Sequence, residues 1–245
     1  MSYSVKPYHW YRKLVHDATR IGLKKPYIKV FGDAEITVAR KLIKEYNRNR
    51  NDNISLTSYL IYCLAKTLKD YPKMQSYKSW NNKVYTFYDV DILIPVQLII
   101  DGEKFLTPFI LKNAEQKNCS QIQEKLRIAS EKTEFNIDRT QKLFLKLPWF
   151  IRKLIYKVLF SSPLQLKKRI GTISFSPSHM FSKVKAYGLG APSHTTGIYT
   201  AGMFKEDAKT KVCISIIADH DFVDGAYLAQ FGSALCERIK LGEIE

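Results

Sequence analysis

No Cys-x-x-Cys pair occurs in this 245-residue chain; its cysteines stand far apart at Cys63, Cys119, Cys213 and Cys236. That spacing excludes the common zinc frameworks, and no metal site is expected. Cys63, Cys213 and Cys236 lie in apolar surroundings and read as small buried side chains. A lysine-led apolar leader is absent, as is any uncharged apolar run of about eighteen residues. Neither a signal peptide nor a membrane span is therefore expected, and a cytoplasmic protein is the default. Asn53-Ile54-Ser55 matches a glycosylation sequon, but the same missing leader argues against its use.

Acidic charge is scarce: 23 Asp and Glu face 39 Lys and Arg, a net +16. A field of that sign attracts nucleic acid, an anionic membrane or the phosphates of a cofactor without choosing among them. Zinc fingers, RNP-like strands and basic-aromatic repeats are all missing, so no nucleic-acid partner is expected. Internal repeats and long linkers are missing too, which points to a single domain over residues 1–245. Fifteen Tyr and thirteen Phe are present. They supply the burial that offsets chain entropy and exclude global disorder.

Short strands alternate with helices. Tyr8-His9-Trp10-Tyr11-Arg12-Lys13-Leu14 leads into a short helical or irregular stretch that ends near Gly22, and Pro26-Tyr27-Ile28-Lys29-Val30-Phe31 reads as a strand. Thr37 is placed to cap a helix through Tyr46, followed by a solvated Asn/Arg run over 47–53. Leu60, Cys63, Leu64, Thr67 and Leu68 recur at helical spacing over 56–69, and Asp70-Tyr71-Pro72 stops that helix. A hairpin turns at Asn81-Asn82. Residues 90–100 form a buried strand with Pro95 at an edge or bulge, Asp101-Gly102 turns the chain, and 105–111 returns. A polar helix over 120–132 follows. Strands are expected at 171–175, 196–199 and 211–217, with a helix over 225–239. This order gives an α/β sandwich rather than a bundle.

The chemistry concentrates in Asp219-His220-Asp221-Phe222-Val223-Asp224-Gly225. An apolar strand runs into His220 and a helix begins just past Asp224. A strand end holds the histidine while the turn leaves its imidazole accessible, which suits a general base. Asp224 at the helix start meets free backbone N–H groups, and Gly225 permits close approach or an unusual backbone angle. The bland alternative is a surface turn, because short motifs arise by chance.

The chain resembles the catalytic domain of the 2-oxo acid dehydrogenase acyltransferases, the family that includes chloramphenicol acetyltransferase. The resemblance rests on that histidine motif, on Trp10-Tyr11-Arg12-Lys13, on the helix from Leu56 leading to Asp70-Tyr71-Pro72, and on Gly171-Thr172-Ile173-Ser174. It implies a chloramphenicol acetyltransferase-like two-layer sandwich with a mixed sheet, assembled as a homotrimer with sites between subunits. It implies a coenzyme A-dependent acyltransferase acting on a small acceptor. His220 would be the base, Ser174 the oxyanion donor with Ser176 less favoured, and Asp224 would pair with Arg12. Asp221 stands where the dehydrogenase branch has arginine, and Phe175-Ser176-Pro177-Ser178-His179 replaces its glycine turn. These departures motivate a second expectation, a non-catalytic trimeric scaffold or coenzyme A-binding module. The early start of the catalytic-domain-like segment suggests a stand-alone enzyme using free coenzyme A.

His179 and His194 sit in Pro/Ser/Gly-rich connections and are as readily ordinary loop histidines as acceptor contacts. Residues 142–160 are apolar with Lys142, Lys146, Lys153 and Lys157 near one face and Pro148 as a break. A helix pair covering the body or a subunit seam is favoured there over peripheral contact with anionic lipid.

Overall fold

The computed structural model describes residues 2–5, 10–22, 25–50, 53–100, 103–131, 139–190 and 195–244. The Asp101-Gly102 turn and His194 lie outside the described residues. In chain order the elements begin with α1 (Trp10–Gly22), β1 (Tyr27–Glu35), α2 (Thr37–Arg50) and α3 (Leu56–Asp70). The hairpin β2 (Ser76–Lys78) and β3 (Val84–Thr86) follows, then β4 (Ile92–Ile100), β5 (Glu103–Leu111) and α4 (Cys119–Ser130). Three helices come next: α5 (Arg139–Lys146), α6 (Trp149–Leu159) and α7 (Pro163–Ile170). The chain then forms β6 (Ile173–Pro177), β7 (Thr196–Glu206), β8 (Lys209–Asp219) and α8 (Gly225–Leu241).

Six strands form one sheet in the order β1-β8-β7-β6-β4-β5. β6 runs parallel to both β4 and β7, while the other pairs are antiparallel, so the sheet is mixed as expected. Side chains alternate across it. One row, Phe175–Ile198–Ile216–Val30, faces α8, whose Gly232 lies against Ile216. The next row, Ser174–Gly197–Ile217–Lys29, therefore lies on the face turned away from α8.

Pro95 stands opposite Pro108 in the β4–β5 ladder. Two residues without N–H can face each other only at a non-hydrogen-bonded position, with their missing donors on the outer sides. β4 pairs with β6 only at Ile92 and Leu93, so no ladder bond is lost at Pro95.

The helix α3 departs from the one-sided pattern anticipated for it. It is buried from Thr57 through Ala65 and again at Thr67 and Leu68, because α4, α8 and the sheet enclose it. Its polar groups are satisfied inside: Tyr59 donates to the Ile239 carbonyl at 2.7 Å, and Ser55 caps the first turn by accepting from Ser58 N.

Two local expectations are corrected. Thr37 does not cap α2; it is the first helical residue, and its hydroxyl accepts from Thr210 N at 2.9 Å, extending the β1–β8 ladder. The helix also continues past Tyr46 to Arg50. Asn47 makes that possible by exchanging two 2.9 Å hydrogen bonds with the Ile54 backbone, while Arg50 lies over the Tyr46 ring.

Candidate active site

The turn after β8 is fixed on both sides of His220. Its own N–H donates to the Pro26 carbonyl at 2.8 Å. Asp219, 6% exposed, organises the rest. One carboxylate oxygen accepts from Lys25 Nζ at 2.5 Å and the other from Asp221 N at 3.1 Å. Its carbonyl takes the N–H groups of Phe222 and Val223, both at 3.2 Å. Val223 plugs into the core, and the His220 side chain stands exposed. The main chain is thus immobilised while the imidazole remains reachable.

Asp224 is the N-cap of α8, accepting from Tyr227 N at 2.8 Å. Among the described residues the ion pair at this turn joins Asp219 to Lys25, whereas Asp224 serves the helix end and Arg12 lies exposed on α1. The Lys25–Asp219 pair is a contact the sequence reading did not single out. Gly225 is also corrected: its φ is not positive, and an added Cβ would meet only Ile28 Cδ1, at an ordinary 3.7 Å.

Ser174 is positioned from the start of β6. Gly171, at φ +73°, brings the chain so close to the Asp91 carbonyl that a Cβ would sit 2.4 Å from its oxygen. Tyr77 donates to Gly171 O at 2.8 Å, Thr172 N to Asp91 O at 2.7 Å, and the Thr172 hydroxyl to Gln75 at 2.6 Å. This buried network sets the register of the strand. Beyond it, the Ser174 hydroxyl lies 3.3 Å from Thr196 O and within interaction range of the Tyr199 phenol. Burial raises the Tyr199 phenol above its ordinary value, and the interaction with Ser174 pulls it partly back. Two glycines make room for that ring. A Cβ at Gly197, directly across from Ser174, would come within 2.6 Å of the phenol oxygen, and one at Gly190 within 1.7 Å of the ring. Tyr199 was not anticipated; its only sequence signal is its place two residues along β7 from Gly197.

Ser174 and His220 do not converge within one chain. The row through Ser174 reaches β8 at Ile217, two strands away, and His220 lies three residues further. At about 4.8 Å per strand and about 3.3 Å per residue, their backbones are about 14 Å apart.

The other candidates separate clearly. His179 is 3% exposed, its Nδ1 lies 2.7 Å from Thr200 Oγ1, and burial lowers its pKa to about 4. It is a neutral structural residue at pH 7. Ser176 Oγ lies 3.5 Å from Ser178 Oγ, at the end of β6. Cys63, Cys119 and Cys213 are buried and Cys236 half-buried; burial pushes Cys63 and Cys119 up to about 12 and Cys236 to about 11. Among the described residues no cluster of three His, Cys, Asp or Glu side chains could hold a metal ion.

A mixed sheet with helices packed on it is the arrangement of the chloramphenicol acetyltransferase-like fold. A chloramphenicol acetyltransferase structure superposes with a TM-score of 0.58 at 13% identity, covering 91% of this chain and 94% of its own. A probable dihydrolipoamide acetyltransferase from Listeria monocytogenes superposes with a TM-score of 0.72 at 15% identity, covering 98% and 95%. In sequence, residues 5–141 match the model of the 2-oxoacid dehydrogenases acyltransferase (catalytic domain), and the chain belongs to that family. The dihydrolipoyllysine-residue acetyltransferase component of the pyruvate dehydrogenase complex of Buchnera aphidicola is 28% identical over 124 residues. That alignment takes in 48% of this chain and 29% of the relative, so the chain spans under a third of the curated relatives it matches. The family match ends before β6 and β8, which carry Ser174 and His220.

Proposed function

We propose that this chain is a coenzyme A-dependent acyltransferase with His220 as general base and Ser174 as oxyanion donor. The observation that carries the reading is the His220 turn, where the main chain is held on both sides and the imidazole is open. A base that meets a diffusing thiol needs both properties, since proton transfer requires contact near 3 Å.

The imidazole takes the proton of the attacking thiol, whose sulfur forms a bond to the acyl carbonyl carbon as an electron pair moves onto oxygen. The Ser174 hydroxyl donates to that oxyanion, and Tyr199 holds the hydroxyl in place. The carbonyl then re-forms, the original C–S bond breaks, and the imidazolium returns its proton to the departing sulfur. The separation of about 14 Å within one chain supports a site shared by neighbouring copies, as in a homotrimer. The Buchnera relative is named for transfer to dihydrolipoyllysine residues, which makes dihydrolipoamide the first acceptor to test. The net +16 suits attraction of the coenzyme's phosphates.

Steady-state kinetics with acetyl-CoA and dihydrolipoamide test the reading. His220→Ala should lower kcat by about 10² to 10⁴ while circular dichroism stays unchanged; near-wild-type turnover would remove His220 from the mechanism. Mixing Ser174→Ala with His220→Ala chains should restore activity if sites are shared. Coenzyme A binding without turnover of any acyl donor would favour the scaffold reading instead.

A further inference from the structure

The helices between α4 and β6 have a composition unlike the rest of the chain. Residues 139–170 contain six lysines and three arginines, and neither Asp nor Glu. The body of the protein takes up two of these cations. Arg152 is locked to the fully buried Asp17 of α1 by hydrogen bonds of 2.7 and 2.9 Å, and Lys167 pairs with Asp89. The Asp17–Arg152 bond fixes which way α6 is turned.

With Arg152 inward, the remaining circumference of α6 divides into three parts at about 100° per residue. Phe150, Leu154 and Val158 form one stripe at i, i+4, i+8 and are 69%, 63% and 66% exposed. Leu143 of α5 and Leu164 of α7 are also exposed, at 66% and 55%. Beside the stripe runs a ridge of Lys153 and Lys157, both exposed. On the far side of that ridge lies a groove of about 550 Å³ between α6, α1 and the β2–β3 hairpin. Trp80, Trp149, Tyr156 and Phe160 line it with Arg20 and Lys78, and no carboxylate is among its lining residues.

From this juxtaposition we infer that α6 docks the protein on an anionic lipid surface, its apolar stripe set into the headgroup boundary and its lysine ridge against lipid phosphates. Charge complementarity selects this occupant. A second copy meeting it across a two-fold axis would set one carboxylate-free surface against another, and like charges in contact are unfavourable; a head-to-tail subunit contact is the competing occupant that light scattering separates. An interfacial helix, by contrast, combines an apolar face with flanking Lys and aromatic residues that favour the headgroup level. The mode is peripheral, since no described helix is long and apolar enough to cross a membrane. The inference is independent of the acyl-transfer reading.

Co-sedimentation of the full chain with vesicles tests it, using phosphatidylcholine alone and phosphatidylcholine with about a third phosphatidylserine. The protein should pellet with the anionic vesicles only, and release at about 0.5 M salt. Lys153→Gln with Lys157→Gln should weaken partitioning about 30-fold, from about 5-fold per cation. Leu154→Gln with Val158→Gln should weaken it at least about tenfold, with melting temperature and coenzyme A binding unchanged. Failure to pellet with anionic vesicles overturns the inference. So does loss with the lysine pair but not the apolar pair, which would mean adsorption by charge alone. If the apolar pair instead lowers the mass measured by light scattering, the stripe belongs to a protein–protein contact and the inference falls.

Discussion

Replacing His179 with glutamine should remove a defined part of the protein's acid sensitivity. The imidazole is held in the turn after the Ser174 strand, 3% exposed and 2.7 Å from the Thr200 hydroxyl. Burial lowers its pKa from 6.5 to about 4. In the unfolded chain the same group takes a proton near its ordinary value. Below that value the unfolded state binds a proton that the folded state refuses until about pH 4, so acidification favours unfolding. The stability associated with a neutral His179 is complete above about pH 6.5 and declines as pH falls towards 4. At about 1.4 kcal/mol per pKa unit, the decline is about 3 kcal/mol. Glutamine keeps a hydrogen-bonding group for Thr200 and does not titrate. Urea unfolding of both proteins at neutral pH and at about pH 4 isolates the effect, because carboxylates common to both cancel in the difference. The difference should move by about 3 kcal/mol in the variant's favour on acidification. A difference constant within about 0.5 kcal/mol would refute the reasoning.

Asp17→Asn should destabilise the packing of α1 on α6 by about 3 to 5 kcal/mol, because it leaves Arg152 buried without its counter-charge. Equilibrium unfolding and limited proteolysis at α1 measure this, and a loss under about 1 kcal/mol would mean the pair is not load-sharing. Tyr199→Phe should reduce acyl-transfer kcat about fivefold, the worth of one hydrogen bond to Ser174, with KM for acetyl-CoA little changed. An unaltered kcat would show that Ser174 does not depend on the phenol.

What the amino-acid sequence determined alone was whatever nearby residues decide. The apolar run of β8, the turn at His220 and the start of α8 at Asp224 were legible because strand alternation, capping and helical periodicity operate within a few positions. The family resemblance extended that to the mixed sheet. Only the tertiary structure brought Lys25 to Asp219 beside the histidine, since the two are 194 positions apart and meet through the β1–β8 ladder. Tyr199 reaches Ser174 only once β6 and β7 are adjacent and Gly197 leaves the space. Helical periodicity also left open which face of α6 is inward. Phe150, Leu154 and Val158 are apolar like their sequence neighbours, and it is the Asp17–Arg152 bond that turns the helix so as to expose them. Spacing along a chain records which residues share a face; what covers that face depends on contacts between distant segments, which no local pattern encodes.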